Sequence, residues 1–230
     1  HNLVSMPDVF NLLTEKHNTI DLLKIWATLE QAGFSVLETY FESLRLFQQQ
    51  DYSPQFICTL MHNIAGFFSS VGHVDEAVEV GKQELEIAKT LDDPLKLGMA
   101  YYTVGANYSM SRFFDVALIY LTKAEAIAEQ LNDPNLIIGV TGNLGNVYYF
   151  KGDMEKALTY YNKAGEVIEA SGINTSRLSN YISIATVYTM LGEMEKAEQL
   201  FRLGITIAED TGDIDAESHI RINLASLYDL

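Results

Sequence analysis

The chain has 230 residues, of which 48% are hydrophobic and 20% charged, a composition that predicts an extended packed core and excludes a compositionally disordered chain. Its 15 basic and 31 acidic residues give a net charge of −16, which repels nucleic acid and anionic lipid surfaces and favours neutral or basic partners. No apolar run is long enough to cross a bilayer, and Cys58 is the single cysteine, so we predict a soluble, cytoplasmic chain without disulfides, nucleic-acid partners or membrane partners.

The first part of the chain, residues 1–54, has helical patterns but no regular repeat. One helix is predicted around residues 21–32, followed by a turn at Gly33 and a second helix that continues to about Gln50. We interpret residues 1–54 as a degenerate or capping helical pair, with Trp26 in its core.

From residue 55 onward, a small residue followed three positions later by an aromatic residue recurs every 40 residues. The small residues are Ala65, Gly105, Gly145, Ala185 and Ala225, and the aromatic residues are Phe68, Tyr108, Tyr148, Tyr188 and Tyr228. A fixed period of this length indicates tandem copies of one structural unit that stack on one another.

These copies predict one continuous solenoid domain. Its repeats cover residues 55–94, 95–134, 135–174 and 175–214, and residues 215–230 form the first helix of a truncated further repeat. A stack cut within a unit exposes an apolar face, so we expect more protein to follow Leu230.

Each unit contains two predicted helices joined by a turn, because apolar residues recur at intervals of three and four. Glycines at 72, 152 and 192 predict a left-handed residue at this turn, whereas Arg112 in the same place predicts a different shape or mild strain. Asp93 and Asp133, each before a proline, predict helix N-caps. The small residues are expected to let the two helix backbones approach closely.

The spacing Leu144-Gly145-x-x-Tyr148, followed by Ala157 and Tyr161, resembles the signature of the tetratricopeptide repeat family. The resemblance implies an all-α fold, a right-handed superhelical solenoid of antiparallel helix pairs. The period here is 40 residues rather than about 34, as in long-period members found in bacterial regulators and animal adaptor proteins. The family's leading Trp is replaced by Met61, Tyr101, Thr141 and Tyr181.

The resemblance also implies that the first helices line a binding groove. The position two residues before the small residue is polar in every copy: Asn63, Thr103, Asn143, Ser183 and Asn223. Long-period relatives use asparagines here to bond the backbone of an extended peptide, and Asn146 shares a helix face with Asn143. Tyr102 and Tyr149 are candidate aromatic walls. Alternatively, these tyrosines pack in the core and the polar side chains bond carbonyl groups of their own helices.

The sequence contains no catalytic, metal-binding or cofactor-binding motif, so we predict a segment that is not an enzyme and uses neither metal nor cofactor. The groove positions carry almost no cation, which favours a neutral to basic, partly apolar protein or peptide segment as partner. The favoured function is a protein- or peptide-binding module, the sensory or docking part of a larger bacterial regulatory protein. One alternative is the regulatory domain of a diguanylate cyclase, a histidine kinase or a transcription factor. Another is a scaffold that self-associates.

Overall fold

The computed structural model describes residues 53–228, apart from the side chains of Asn174 and Tyr228. The described residues form nine α-helices and one short 3₁₀ turn, and contain no strand. The all-α fold class is therefore confirmed for this part of the chain. The helical pair predicted before residue 53, with Trp26, lies outside the described residues, and the predicted repeat boundaries stay predictions.

The chain divides into two compact units, residues 1–91 and 92–230. In the first unit, α1 (Pro54–Ser70) packs against α2 (Val74–Ala88). The second unit contains three further helix pairs and a last helix, in which each helix contacts the next. Its helices are α3 (Pro94–Met110), α4 (Phe114–Leu131), α5 (Pro134–Phe150), α6 (Met154–Ser171), α7 (Arg177–Met190), α8 (Met194–Thr211) and α9 (Ile214–Tyr228).

The 40-residue period of the sequence is also the period of the helix starts. Pro54, Pro94 and Pro134 begin α1, α3 and α5, and Val74, Phe114, Met154 and Met194 begin α2, α4, α6 and α8. Only α7 begins out of register, after a 3₁₀ turn at Asn174–Ser176. Ile173 stands there in place of a capping Asp, and Ser176 makes no side-chain capping bond, so nothing fixes an earlier start.

The N-caps predicted before α3 and α5 are confirmed. Asp93 Oδ1 accepts a hydrogen bond from the Lys96 backbone N at 3.1 Å, and Asp133 Oδ1 accepts one from the Leu136 backbone N at 2.8 Å. Each carboxylate satisfies a backbone donor that has no partner inside its helix.

Replacing Asp133 by Ala should therefore lower the free energy of unfolding by about 1 kcal/mol. Urea denaturation followed by circular dichroism measures this change. Asp92→Ala is the matched control, because Asp92 is exposed and makes no capping bond. Equal losses in the two variants would contradict the capping role.

The turn within the second pair keeps the geometry of the glycine-containing turns. Arg112 has a φ of 63°, close to the 81° of Gly152 and 76° of Gly192 in the equivalent turns. The expectation of a differently shaped turn is wrong, and mild strain is what the structure shows, because a left-handed conformation costs a non-glycine residue about 1 kcal/mol. The Arg112 guanidinium lies 5.7 Å from the centre of the Phe150 ring, a cation–π contact that offsets part of this cost.

The small residues of the repeat make room for one large side chain of the following helix. A Cβ on Gly145 would lie 2.5 Å from the nearest Tyr161 ring atom, and a Cβ on Gly105 would lie 2.7 Å from Leu121 Cγ. The close approach of helix backbones that we expected explains these small residues only in part. The Leu121 backbone N would lie 3.0 Å from a Cβ on Gly105, but the nearer atoms belong to side chains. The Tyr148 ring then stacks on Tyr160, with centroids 5.5 Å apart.

None of the helices in residues 53–228 is long and apolar enough to span a membrane.

Candidate functional site

The first helix of each pair in the second unit carries almost no charge. Lys96 is the single charged residue of α3, Arg177 is that of α7, and α5 has none. The acidic side chains of this unit lie mainly on the second helices and on α9. The accessible polar side chains of α5 and α7, called the first-helix surface below, are therefore uncharged except for Arg177, within a strongly acidic chain.

A cavity of about 220 Å³ opens on this surface between α5, α6 and α7. It brings together three of the residues predicted from the sequence, Asn143, Asn146 and Ser183. Its other polar lining residues are Tyr161, Ser176, Ser179 and Asn180. We call it the amide cavity, because asparagine side chains supply much of its polar lining.

Asn143 uses the nitrogen of its side-chain amide for hydrogen bonds within the protein. Its Nδ2 donates to the Gly139 carbonyl oxygen at 3.0 Å and approaches the Tyr102 hydroxyl at 3.3 Å. Among the described residues, Asn143 Oδ1 has no hydrogen-bond partner. The internal bonds thus fix the orientation of the amide and leave its oxygen as an acceptor.

Asn146 uses the oxygen of its side-chain amide instead. The hydroxyl of Tyr161, a residue of α6, donates to Asn146 Oδ1 at 2.6 Å. Asn146 Nδ2 has no partner in the described part of the chain, so it remains a donor. Because Asn143 and Asn146 are three positions apart on α5, a free acceptor and a free donor share one helix face.

Two of the three glycines of α5, Gly139 and Gly142, have different roles. A Cβ on Gly139 would lie 3.3 Å from the Tyr102 ring, so Gly139 allows Tyr102 to pack against α5. A Cβ on Gly142 would meet no atom within 4 Å, although Gly142 lines the amide cavity. Helix packing therefore explains Gly139 but not Gly142.

The remaining predicted residues do not join the amide cavity. Thr103 is buried and donates its hydroxyl to the Met99 carbonyl oxygen, as the alternative interpretation expects. Tyr149 is half-buried and packs against the core cluster around Tyr161. Asn223 is half-buried on α9, and Asn63 is half-buried on α1 in the first unit.

Burial changes the acidity of two tyrosines at this surface. It raises the pKa of the Tyr161 hydroxyl above its ordinary value, and a hydrogen bond with Ser183 acts in the opposite direction. Burial also raises the pKa of Tyr102, against the effect of its hydrogen bond with Asn143. Both groups stay neutral hydrogen-bonding partners of the asparagines at physiological pH.

Sequence reasoning missed Asn180 and the role of Tyr161 in the cavity. Tyr161 occupies a core position of the repeat signature, and nothing in the signature shows that its hydroxyl reaches α5. Asn180 had a detectable signal, because the equivalent positions in the other copies are apolar: Leu60, Ala100, Val140 and Ile220. A polar residue at a position that is otherwise core indicates a local function or a local gap.

Paired helices that repeat every 40 residues define a helical repeat protein, and its α5 and α7 line an uncharged polar cavity. Models of the tetratricopeptide repeat match residues 136–210 and 59–95. These matches identify tetratricopeptide repeats in the two segments. No curated protein matches its sequence.

Solved structures of similar fold include a phosphatase, a gene regulator and an ATPase with a repeat sensor. Aspartyl phosphate phosphatase F from Bacillus subtilis superposes with a TM-score of 0.78 at 17% identity, over 94% of this chain and 55% of that one. The Rap conjugation gene regulator of plasmid pLS20, in complex with the Phr peptide, gives 0.73 at 18% identity, over 94% and 57%. A signal transduction ATPase with a tetratricopeptide repeat sensor from Pyrococcus horikoshii gives 0.68 at 20% identity, over 96% and 34%.

The present chain thus spans about half the length of the first two of these proteins. At these identities the similarity establishes a common tetratricopeptide repeat solenoid fold.

Proposed function

We propose that this chain is a non-catalytic interaction module whose first-helix surface binds an extended, uncharged peptide segment of a partner. The observation that carries the proposal is the pairing of a free acceptor, Asn143 Oδ1, with a free donor, Asn146 Nδ2, on one face of α5. A peptide group offers one donor and one acceptor. The two asparagines can therefore form hydrogen bonds with the backbone of a bound peptide, whatever its side chains are.

The surroundings of the two asparagines support a peptide rather than a charged small molecule. The amide cavity contains no charged side chain, so a buried ligand charge would have no opposite charge to pair with. Gly142 leaves its floor open, which permits close approach of a backbone. The relative from plasmid pLS20 was solved with a peptide bound, which makes peptide recognition a chemistry that this fold can support.

Within this proposal, four of the eight predicted positions form the peptide-binding surface. Asn143, Asn146 and Ser183 contact the peptide directly, and Tyr102 holds Asn143 in place. Thr103 is buried, and Tyr149, Asn63 and Asn223 stay predicted binding positions. The cytoplasmic location and the preference for partly apolar or basic partners are further parts of the proposal.

Replacing both Asn143 and Asn146 by Ala should weaken peptide binding at least about tenfold, since each lost hydrogen bond is worth about 1 kcal/mol. A displayed library of random peptides is first selected against the wild-type chain. Fluorescence anisotropy then measures the affinity of a selected uncharged peptide for the variant. Asn135→Ala is the control, because Asn135 is an exposed asparagine in the first turn of the same helix. Equal affinities for wild type and the folded double variant would overturn the proposal.

We further propose that this module is the sensory part of a larger regulator. The Pyrococcus horikoshii protein, whose repeats are described as a sensor, is similar over 96% of this chain, while the chain covers 34% of it. The sequence of the full-length gene product would test this: a cyclase, kinase or DNA-binding domain in the same polypeptide supports it. Self-association as a scaffold is the competing proposal, and light scattering that shows a monomer at high concentration would reject it.

A further inference from the structure

A second, larger cavity lies on the other side of α7, away from most residues of the amide cavity. It has a volume of about 1010 Å³ and forms a groove between α6, α7 and α8. Only Ile168 and Asn180 line both cavities. We call it the α6–α8 groove. Nothing in the proposed function uses it.

The preceding repeat contains a set of ion pairs that this groove lacks. One repeat earlier, Lys163 of α6 reaches back to α4, where its Nζ pairs with Glu125 at 2.7 Å and also with Glu129. This Lys–Glu–Glu clasp joins two second helices. In the next repeat the residues at positions 203, 165 and 169 are Leu, Gly and Glu, so the clasp cannot form between α6 and α8.

A buried polar side chain faces the groove with an unused acceptor. Asn180 is 7% exposed, and its Nδ2 donates to the Tyr161 carbonyl oxygen at 2.8 Å. Its Oδ1 has no hydrogen-bond partner among the described residues. A Cβ on Gly165 would lie 3.0 Å from this oxygen, so the glycine is what keeps the oxygen uncovered.

The charges at the rim leave one carboxylate free. Arg177 pairs with Glu169 at 3.1 Å, and Lys196 pairs with Glu193 at 3.2 Å. Glu166 also lines the groove and has no ion pair or hydrogen bond within the described part of the chain. Among the charged side chains of the groove, Glu166 is thus the one without an ion pair in the described residues, and it requires a donor, as does the buried oxygen of Asn180.

The floor of the groove is apolar and aromatic. Ile168 and Ile184 are buried beneath it, and Tyr181, Tyr188 and Leu200 form its sides. An apolar floor beside a free carboxylate and a free amide oxygen suits an amphipathic ligand whose polar side is basic.

We propose that the α6–α8 groove is a second docking site, which binds an amphipathic helical segment of a partner protein through its apolar face and one Lys or Arg side chain. The apolar face covers Ile168, Ile184 and Leu200. The basic side chain pairs with Glu166 and donates to Asn180 Oδ1. This site is separate from the peptide surface of the proposed function and does not depend on it.

The test uses the wild-type chain and short helical model peptides labelled for fluorescence anisotropy. One peptide contains Leu and Lys on opposite faces, a second contains Leu and Glu, and a third has the same Lys positions with Ser in place of Leu. We expect saturable binding of the Leu/Lys peptide, with the other two at least about tenfold weaker. Comparable binding of the Leu/Glu or Ser/Lys peptide would overturn the proposal.

A variant that rebuilds the clasp locates the binding. Gly165→Glu with Leu203→Lys reproduces the residues that join α4 to α6 and leaves the net charge unchanged. Adding Asn180→Val, the residue present at position 140, removes the crowding between the new side chain and Asn180. Binding of the Leu/Lys peptide should fall at least about tenfold in the triple variant. Wild-type affinity in the folded triple variant would place the peptide elsewhere and reject the site.

A single substitution tests the carboxylate without altering the fold. Glu166→Gln should weaken Leu/Lys binding about threefold to tenfold. Glu155→Gln removes the same charge from an exposed position of α6 outside the groove and should have no effect. Equal weakening by both would show general attraction to an acidic chain and overturn the proposal. Asn143→Ala with Asn146→Ala should leave this binding unchanged, so failure of this site and failure of the peptide surface are distinguishable.

Discussion

Replacing Gly145 by Ala is expected to lower the free energy of unfolding by about 2–3 kcal/mol, the upper part of the usual range for overpacking a core. The added Cβ would lie 2.5 and 2.6 Å from two carbons of the Tyr161 ring. That ring is 4% exposed and its hydroxyl is bonded to Asn146, so it has little freedom to move away. Urea denaturation followed by circular dichroism measures the loss.

The matched control is the same substitution three residues earlier in the same helix. Gly142→Ala adds a Cβ that meets no atom within 4 Å, so it should stabilise the protein by about 0.5–1 kcal/mol through helix propensity alone. The two substitutions should therefore change stability in opposite directions. Equal effects would show that helix propensity, rather than the Tyr161 contact, determines the result.

Stability should also fall steeply above pH 10, and Tyr161 should be one of the causes. Burial raises the pKa of Tyr161 in the folded state, whereas the unfolded chain ionises near 10. Between these two values the folded state holds a proton that the unfolded state has lost, so the stability contributed by Tyr161 is present below pH 10 and decreases as the pH rises. One such tyrosine lowers the free energy of unfolding by about 1.4 kcal/mol per pH unit.

Tyr161→Phe separates this contribution from other alkaline effects. At pH 7 the variant should be about 1 kcal/mol less stable, because it lacks the hydrogen bond to Asn146. Above pH 10 the stability curves of variant and wild type should converge. Burial also raises the pKa of Tyr102 and Tyr160, with nearby Glu125 adding to the rise at Tyr160, so both proteins should still lose stability. A constant difference from pH 7 to 11 would contradict the assignment to Tyr161.

The helical pairs could be predicted because local signals repeat. Glycines in the turn, aspartates before prolines and a small residue before an aromatic one each recur at 40-residue intervals, and every recurrence strengthens the same interpretation. The late start of α7 follows from Ile173 in the capping position, which is visible in the sequence once the caps of α3 and α5 are known. The sequence could not predict that the turn at Arg112 has the same shape as the glycine turns, because the surrounding helix pair imposes the left-handed conformation on this residue.

The candidate site was predicted only in part. The sequence places Asn143 and Asn146 on one helix face. It does not show whether the oxygen or the nitrogen of each amide forms the hydrogen bond within the protein. That outcome depends on Tyr102 and Tyr161, which come from neighbouring helices. The α6–α8 groove could not be predicted for a related reason. Gly165 and Leu203 replace two of the residues that form the clasp, and this replacement is visible only by comparison with the clasp at Lys163.

Ile168 and Asn180 lie between the two cavities and line both of them. A ligand that displaced α7 would alter both cavities, because α7 contributes Asn180 to each of them. If one ligand changes the affinity for the other by some factor, thermodynamic linkage requires that the second ligand changes the affinity for the first by the same factor. If either ligand displaced α7, a helix of 14 residues whose start no capping side chain fixes, the two binding events would be coupled through that displacement.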